Sequence, residues 1–315
     1  MLSFGPVPSR RLGQSLGINN IPPKICTYSC VYCQLGRTST IQIDRESFYK
    51  PGNLLDDIRE KITKAGERQE HIDYVTVVSD GEPTLDNNLG KILDMIQKFG
   101  IKTAVITNAS LLWQKDVRDD LDKADWVSVK IDAVSTKIWH RINRPHRKLD
   151  LDTVLHGILT FSDGFPGVLT TETMLIQGIN DSAEELSRIC RVITELDTSQ
   201  SYIAVPTRPP AEPWAVPASE QSIAAAYEIF TEKAISTELL TGYEGSSFAF
   251  TGNAEQDLLS ITSVHPMRKE GINRFLTKAG EDWDLIDKLI NERKLVEVEY
   301  KGSHFYTRKL REIDE

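Results

Sequence analysis

Short apolar runs and helical periods succeed one another regularly over the first 240 residues of the chain. Leu12 to Ile18 alternates apolar with small or polar residues and predicts a first strand. Tyr74 to Ser79 (YVTVVS) is β-branched and apolar, as expected of a strand covered on both faces. Similar runs predict strands at Thr103–Thr107, Trp126–Ile131, Leu169–Ile176 and Tyr202–Val205. Between them the 3.6-residue period places helices near Leu89–Phe99, Gln114–Lys123, Leu151–Phe161 and Asp181–Leu196. A helix N-capped by Asn53 runs to about Arg68, and a long one is expected over Ser219–Glu238. Six βα units in a row imply parallel strands, right-handed crossovers and functional residues at the strand C-terminal ends. The pattern suits either a partial barrel or an open doubly wound sheet.

Around Thr241 the pattern changes. Residues 242–253 are rich in Gly, Ser and Asn, with Phe248 and Phe250 among them. Three helical patterns follow near 254–261, 266–278 and 282–292, then two strands, Leu295–Tyr300 and His304–Arg308, joined at Lys301-Gly302. Helices followed by a hairpin read as a small winged-helix-like α+β module, which divides the chain into residues 1–240 and 241–315.

Composition narrows the setting. A chain of 315 residues with 40% hydrophobic content can bury one large core and a small one. No apolar run is long enough to span a bilayer, and Met1 to Arg11 lacks the apolar core of a signal peptide, so a cytoplasmic protein without a membrane partner is expected. The net charge of −9 weighs against nucleic acid as a partner while leaving a local basic patch open. Val264 to Glu315 holds eleven Lys/Arg and eleven Asp/Glu, and the helical pattern of 281–293 is acidic at its start, the end that would approach phosphates. A protein-docking or substrate-covering role is preferred for this module.

The chemistry concentrates in Cys26-Thr27-Tyr28-Ser29-Cys30-Val31-Tyr32-Cys33, three cysteines at the spacing C-x3-C-x2-C. The remaining cysteine, Cys190, sits at helical spacing with Leu186, Ile189 and Ile193 and reads as a core residue. A zinc site would bring a second cysteine or histidine pair, and an odd count argues against disulfides. An iron–sulfur cluster with one iron left open is the best reading.

This segment resembles the cysteine motif of the radical S-adenosylmethionine (SAM) superfamily. Together with FGPVPSRRLGQSLGIN, VVSDGEPTLD and the terminal SVHPMR…FYTR, it resembles the wyosine-synthase-related group of prokaryotic iron–sulfur radical SAM proteins over nearly the whole chain. The resemblance favours a partial (βα)6 TIM-type barrel. It implies a 4Fe–4S cluster held by Cys26, Cys30 and Cys33, whose open iron chelates the amino and carboxylate groups of SAM. An electron, from a donor such as flavodoxin or ferredoxin, would cleave the sulfonium to give a 5′-deoxyadenosyl radical that abstracts hydrogen from a substrate. Tyr32 matches the aromatic position beside the adenine. Gly81 and Glu82 of DGEPT match the segment that binds the SAM amino group, and Thr107-Asn108 the position near its carboxylate. Lys130 and Asp132 match the ribose and carboxylate contacts; two residues apart, both side chains can face the barrel mouth.

Other residues are read from chemistry alone. Glu172 points an acid into a covered interior and needs a partner there, SAM ribose or substrate. Arg144 and Arg208, in the loops after the fourth and sixth strands, are candidates to bind a substrate carboxylate or phosphate. Arg10 and Arg11 read as a solvated, salt-bridged pair. The substrate is expected to be a small molecule or a protein. A tRNA-modifying enzyme and a cluster-containing winged-helix redox regulator are the alternatives. Residues 1–25 contain no cysteine, so the second cluster of the wyosine synthases is unsupported, and no cysteine after Cys190 can serve an auxiliary cluster.

Overall fold

In the computed structural model, which describes residues 2–241, 250, 252–264, 266–300 and 302–309, the alternating pattern becomes one eight-stranded sheet flanked by helices. The chain runs through β1 (Ser3–Ser9), β2 (Gly13–Ile18), the two-residue strands β3 (Ile25–Cys26) and β4 (Thr40–Ile41), α1 (Pro51–Glu67), β5 (Tyr74–Val77) and α2 (Leu89–Ile96). It continues through β6 (Lys102–Thr107), α3 (Lys115–Leu121), β7 (Trp126–Lys130), α4 (Thr136–Ile142), α5 (Leu151–Ser162) and β8 (Val168–Met174). Then come α6 (Ala183–Thr194), β9 (Gln200–Ala204), α7 (Glu220–Glu232) and β10 (Thr237–Leu240).

The strand order is β1-β2-β5-β6-β7-β8-β9-β10, with β1 antiparallel to β2 and every other neighbouring pair parallel. Neighbouring strands follow the chain order and the two ends do not pair, the arrangement of a partial barrel. Val77, Val105, Val127, Val129 and Ile203 are fully buried, as parallel strands under helices must be. The barrel thus agrees with the expectation, and its two edges enlarge it.

Four expectations are corrected. β1 was not expected, because Pro6 and Pro8 mask it; an edge strand tolerates prolines whose missing N–H faces away from the ladder. The long helix over 219–238 stops at Glu232, where Ala234 takes a left-handed φ of 60°, and Thr237–Leu240 becomes a seventh parallel strand. Asn53 does not cap α1, which starts at Pro51 with Lys50 as its N-cap; proline at the first helical position loses only an N–H that has no partner anyway. The connection after the fourth strand, read only as the loop that carries Arg144, contains α4, which ends at Ile142.

The C-terminal part adds α8 (Ala254–Val264), β11 (Met267–Arg268), α9 (Lys269–Ala279), α10 (Asp284–Asn291), β12 (Leu295–Tyr300) and β13 (Ser303–Arg308). Its three strands pair antiparallel in the order β11-β13-β12. Residues 242–249 and 251 of the expected linker, and His265 of the SVHPMR stretch, lie outside the described residues. The core of these elements, Leu258, Ile261, Ile272, Phe275, Ile286 and Leu289, is continuous with Phe4 and Val7 of β1. Gly17 on β2 is what lets Phe4 turn across the sheet, since a Cβ there would lie 2.1 Å from the Phe4 ring. A buried ion pair at 3.2 Å between Lys61 on α1 and Asp257 on α8 adds a polar anchor.

Candidate functional site

A cavity of about 290 Å³ opens at the C-terminal ends of the parallel strands. Cys26, Cys30 and Cys33 all line it, as do Tyr32, Gly81, Glu82, Thr107, Asn108, Lys130, Glu172 and Arg208. Asp132 and Arg144 do not. The loop carrying the cysteines is fastened by backbone bonds from both sides. Lys24 N–H donates to the Asp80 carbonyl at 2.7 Å and Glu82 N–H to the Ile25 carbonyl at 3.1 Å, while Ser29 and Val31 N–H donate to Asn143 and Ile142 at 3.0 and 2.9 Å. Gly81 has a packing reason to be glycine, because a Cβ would sit 1.8 Å from the Ile25 carbonyl oxygen.

The three thiols stay partly open to the cavity, yet desolvation by the surrounding protein pushes each above its ordinary range, Cys30 to about 12. Positive iron would offset that penalty and draw them into the thiolate form, since metal binding releases ligand protons. Among the described residues, no three Cys, His, Asp or Glu side chains gather round one point as a single metal ion requires. A multi-iron cluster does not need that convergence, because each thiolate takes a different iron. The donor set, three thiols lining one cavity, therefore fits such a cluster.

Behind the thiols lies a set of acids, each with protein partners. Glu82 is buried and accepts from Thr84 N–H at 3.1 Å, from the Thr84 and Thr107 hydroxyls at 2.6 Å each, and from Asn108 N–H at 2.8 Å. It thereby ties the end of β6 to the turn after β5, and burial raises its carboxyl against those four donors. Glu172 accepts from Lys130 at 2.5 Å and from Arg11. Burial alone would raise the Glu172 carboxyl, but the two cations outweigh it and hold it at about 2. Lys130 also stands 5.0 Å above the Tyr32 ring centroid, and the Tyr32 hydroxyl donates to Asp132. Asp132, expected at the barrel mouth, instead sits behind Tyr32, held by Met174 N–H at 2.9 Å and the Asn143 amide at 2.8 Å.

The two substrate candidates separate. Arg208 lines the cavity and donates to Gln34 at 2.8 Å. Arg144 bonds Glu212 at 2.5 Å, and Arg37 holds the same carboxylate at 2.9 and 3.1 Å. With Glu212 N–H donating to the Val31 carbonyl at 2.9 Å, this triad straps the loop after β9 to the cysteine loop.

Sequence reasoning missed Arg11, Asn143 and Asp80. Arg11 belongs to the buried Glu172 pair, not to a solvated surface pair; the alternation in β2 says nothing of where a residue before the strand reaches. Asp80 lines the cavity at 3% exposure, and its Oδ1 has no hydrogen-bond partner among the described residues. Burial lifts its carboxyl from the usual 3.8 to about 7, against the pull of Arg308 on β13. An acid raised on folding penalises the ionised native state, so stability falls as pH climbs from about 4 to about 7. Asp80→Asn should remove that penalty, gaining up to roughly 4 kcal/mol over wild type at pH 8 and little at pH 4. Denaturant unfolding at both pH values checks it; an equal difference at the two would contradict the assignment.

Comparison with known proteins agrees with this geometry. A model of the Radical SAM superfamily matches residues 20–190. The UPF0026 protein MJ1312 of Methanocaldococcus jannaschii is 45% identical over 315 residues, covering 99% of this chain and 98% of the relative. A radical SAM methyltransferase from Sphaerobacter thermophilus is similar in structure over 72% of this chain and 66% of its own, with a TM-score of 0.53 at 15% identity. Streptococcus suis SuiB bound to S-adenosylmethionine is similar over 71% of this chain and 49% of its own, with a TM-score of 0.52 at 16% identity. At such identities the two structures speak for the fold. No described helix is long and apolar enough to cross a membrane.

Proposed function

The chain belongs to the radical SAM superfamily, and from that premise we propose that Cys26, Cys30 and Cys33 hold a 4Fe–4S cluster beside a SAM molecule in the cavity at the strand ends. The superfamily's use of this cluster and of SAM makes the protein an enzyme. When bound, the cluster would supply the electron that splits the SAM sulfonium into methionine and a 5′-deoxyadenosyl radical able to take hydrogen from a substrate. The observation that carries the reading is that the three thiols line one cavity together with Asp80 and Glu82 of the turn after β5 and with Thr107 of β6, Lys130 of β7 and Glu172 of β8.

The chain's own residues prepare that cavity. Tyr32 is fixed by its hydroxyl on Asp132 and by Lys130 over its ring, so it offers a flat face without losing rotamer freedom on binding. Glu82 and Asn108 lock the strand-end backbone that a bound amino acid group would meet. Arg208 and Lys24 stand at the cavity and favour an anionic group on a small-molecule or protein substrate. Residues 241–315 serve, in this reading, as a winged-helix-like module that covers the site; Arg308 of β13 comes close enough to Asp80 to pull its carboxyl down. An external electron donor such as flavodoxin or ferredoxin completes the scheme.

Anaerobic reconstitution should give about four iron atoms per chain, the content of one such cluster. With SAM and a strong reductant the loaded protein should form 5′-deoxyadenosine, slowly in the absence of substrate. Cys190→Ser should leave the iron unchanged, because Cys190 is buried on α6 with its thiol against the Ile229 carbonyl at 3.4 Å. Iron falling in that variant, or a content near twice the expected one in wild type, would refute the assignment.

A further inference from the structure

Asn143 ends α4 with 3% of its surface exposed and makes two side-chain contacts that meet the cysteine loop and the β7 end together. Its Nδ2 donates to Asp132 Oδ2 at 2.8 Å and to Cys30 Sγ at 3.4 Å. The first contact fixes which way the amide faces, because a carboxylate only accepts. The nitrogen carries two hydrogens, so one serves the acid and the other the sulfur. The other Asp132 oxygen is held by Met174 N–H at 2.9 Å, so the acid cannot swing away. The Asn143 main chain is equally committed, its N–H to Trp139 at 2.8 Å and its carbonyl to Ser29 N–H at 3.0 Å. The amide thus stands as a fixed screen between a buried carboxylate and one cysteine sulfur.

We propose that Asn143 is a positioning residue for Cys30 that tunes the reduction potential of the centre this cysteine would hold. The inference rests on the reading of Cys30 as a cluster ligand. A hydrogen bond to a ligating sulfur withdraws electron density and favours the reduced, more negative state, so losing it lowers the potential. The Asp132 charge acts in the opposite sense: it opposes an added electron, and neutralising it raises the potential. No residue type or spacing in the sequence marks Asn143 for this part.

The test is a redox titration of the anaerobically reconstituted protein, followed by the signal of the reduced cluster in electron paramagnetic resonance, without SAM. Asn143→Leu should shift the midpoint to a more negative value and Asp132→Asn to a less negative one, both at about four iron atoms per chain. Shifts of opposite sign are not what general loosening of the loop would produce. Should the leucine variant fail to hold iron, Asn143→Ser gives the same reading, since its hydroxyl is too short to reach Cys30. A midpoint that is unchanged or less negative without the Asn143 amide, at full iron content, overturns the inference. A wild-type protein that takes up no iron overturns the cluster reading beneath it, which is a separate and visible outcome.

Discussion

Cys30→Ala should abolish 5′-deoxyadenosine formation and leave the chain folded. Cys30 is the middle cysteine of the motif and stays partly open to the cavity, so alanine removes one sulfur and no fully buried apolar group. In the proposed assignment two thiolates then remain, Cys26 and Cys33, and a cube of four irons would lose one of its three anchors. The loop itself is held by main-chain bonds from Ser29 and Val31 to Asn143 and Ile142, which alanine leaves untouched. Loss of function should therefore come with a melting temperature close to that of wild type, while iron falls well below about four per chain. The check is product formation and iron content after identical anaerobic reconstitution. Product at the wild-type level in the alanine variant would mean that the electron reaches SAM by another route and that the motif does not hold the centre.

The parallel sheet was legible because its strands are short apolar or alternating runs, several of them β-branched, and the helices between carry a 3.6-residue period, so pattern alone placed six of the seven parallel strands. The seventh, Thr237–Leu240, escaped because it follows α7 after only a few residues and its outward Glu238 and Leu239 read as a helix continuing. The cysteine motif was legible as spacing, and all three cysteines line the cavity at the strand ends. The partners of the acids were not. Alternation tells which face a side chain takes, not which neighbour it meets, so Glu82, Asp132 and Glu172 read as contacts for a ligand. In the fold, Thr107, Asn143, Lys130 and Arg11 reach them first, from positions 11 to 161 residues away in sequence. Asp80, which lines the cavity with Glu82 and Glu172, keeps one oxygen, Oδ1, without such a partner among the described residues.

Glu172→Gln should destabilise the fold by about 3–5 kcal/mol at pH 7, the cost of breaking a buried pair from one side. Lys130 and Arg11 both donate to this carboxylate, and their side chains are only 20% and 14% exposed. Glutamine can accept from one of them through its carbonyl oxygen, but it turns its own N–H groups toward the other, so one cation is left facing a donor. The dependence on pH separates this from a simple packing defect. Glu172 sits at about 2 in the fold against an ordinary 4.5, a depressed acid, so its contribution is complete above about pH 4.5 and is lost as pH falls toward 2. The gap between wild type and variant should then be widest at neutral pH and narrow by roughly 2 kcal/mol at pH 3. Removing Lys130 as well, in Glu172→Gln/Lys130→Met, should cost less than the two single changes added together, because the double variant no longer strands that charge. Denaturant unfolding at the two pH values, with SAM titrated into each reconstituted variant, decides between the roles open to this acid. A gap of equal size at pH 7 and pH 3 would show that Glu172 is not the counter-charge of the barrel interior. Full stability with weakened SAM binding would return it to the cofactor.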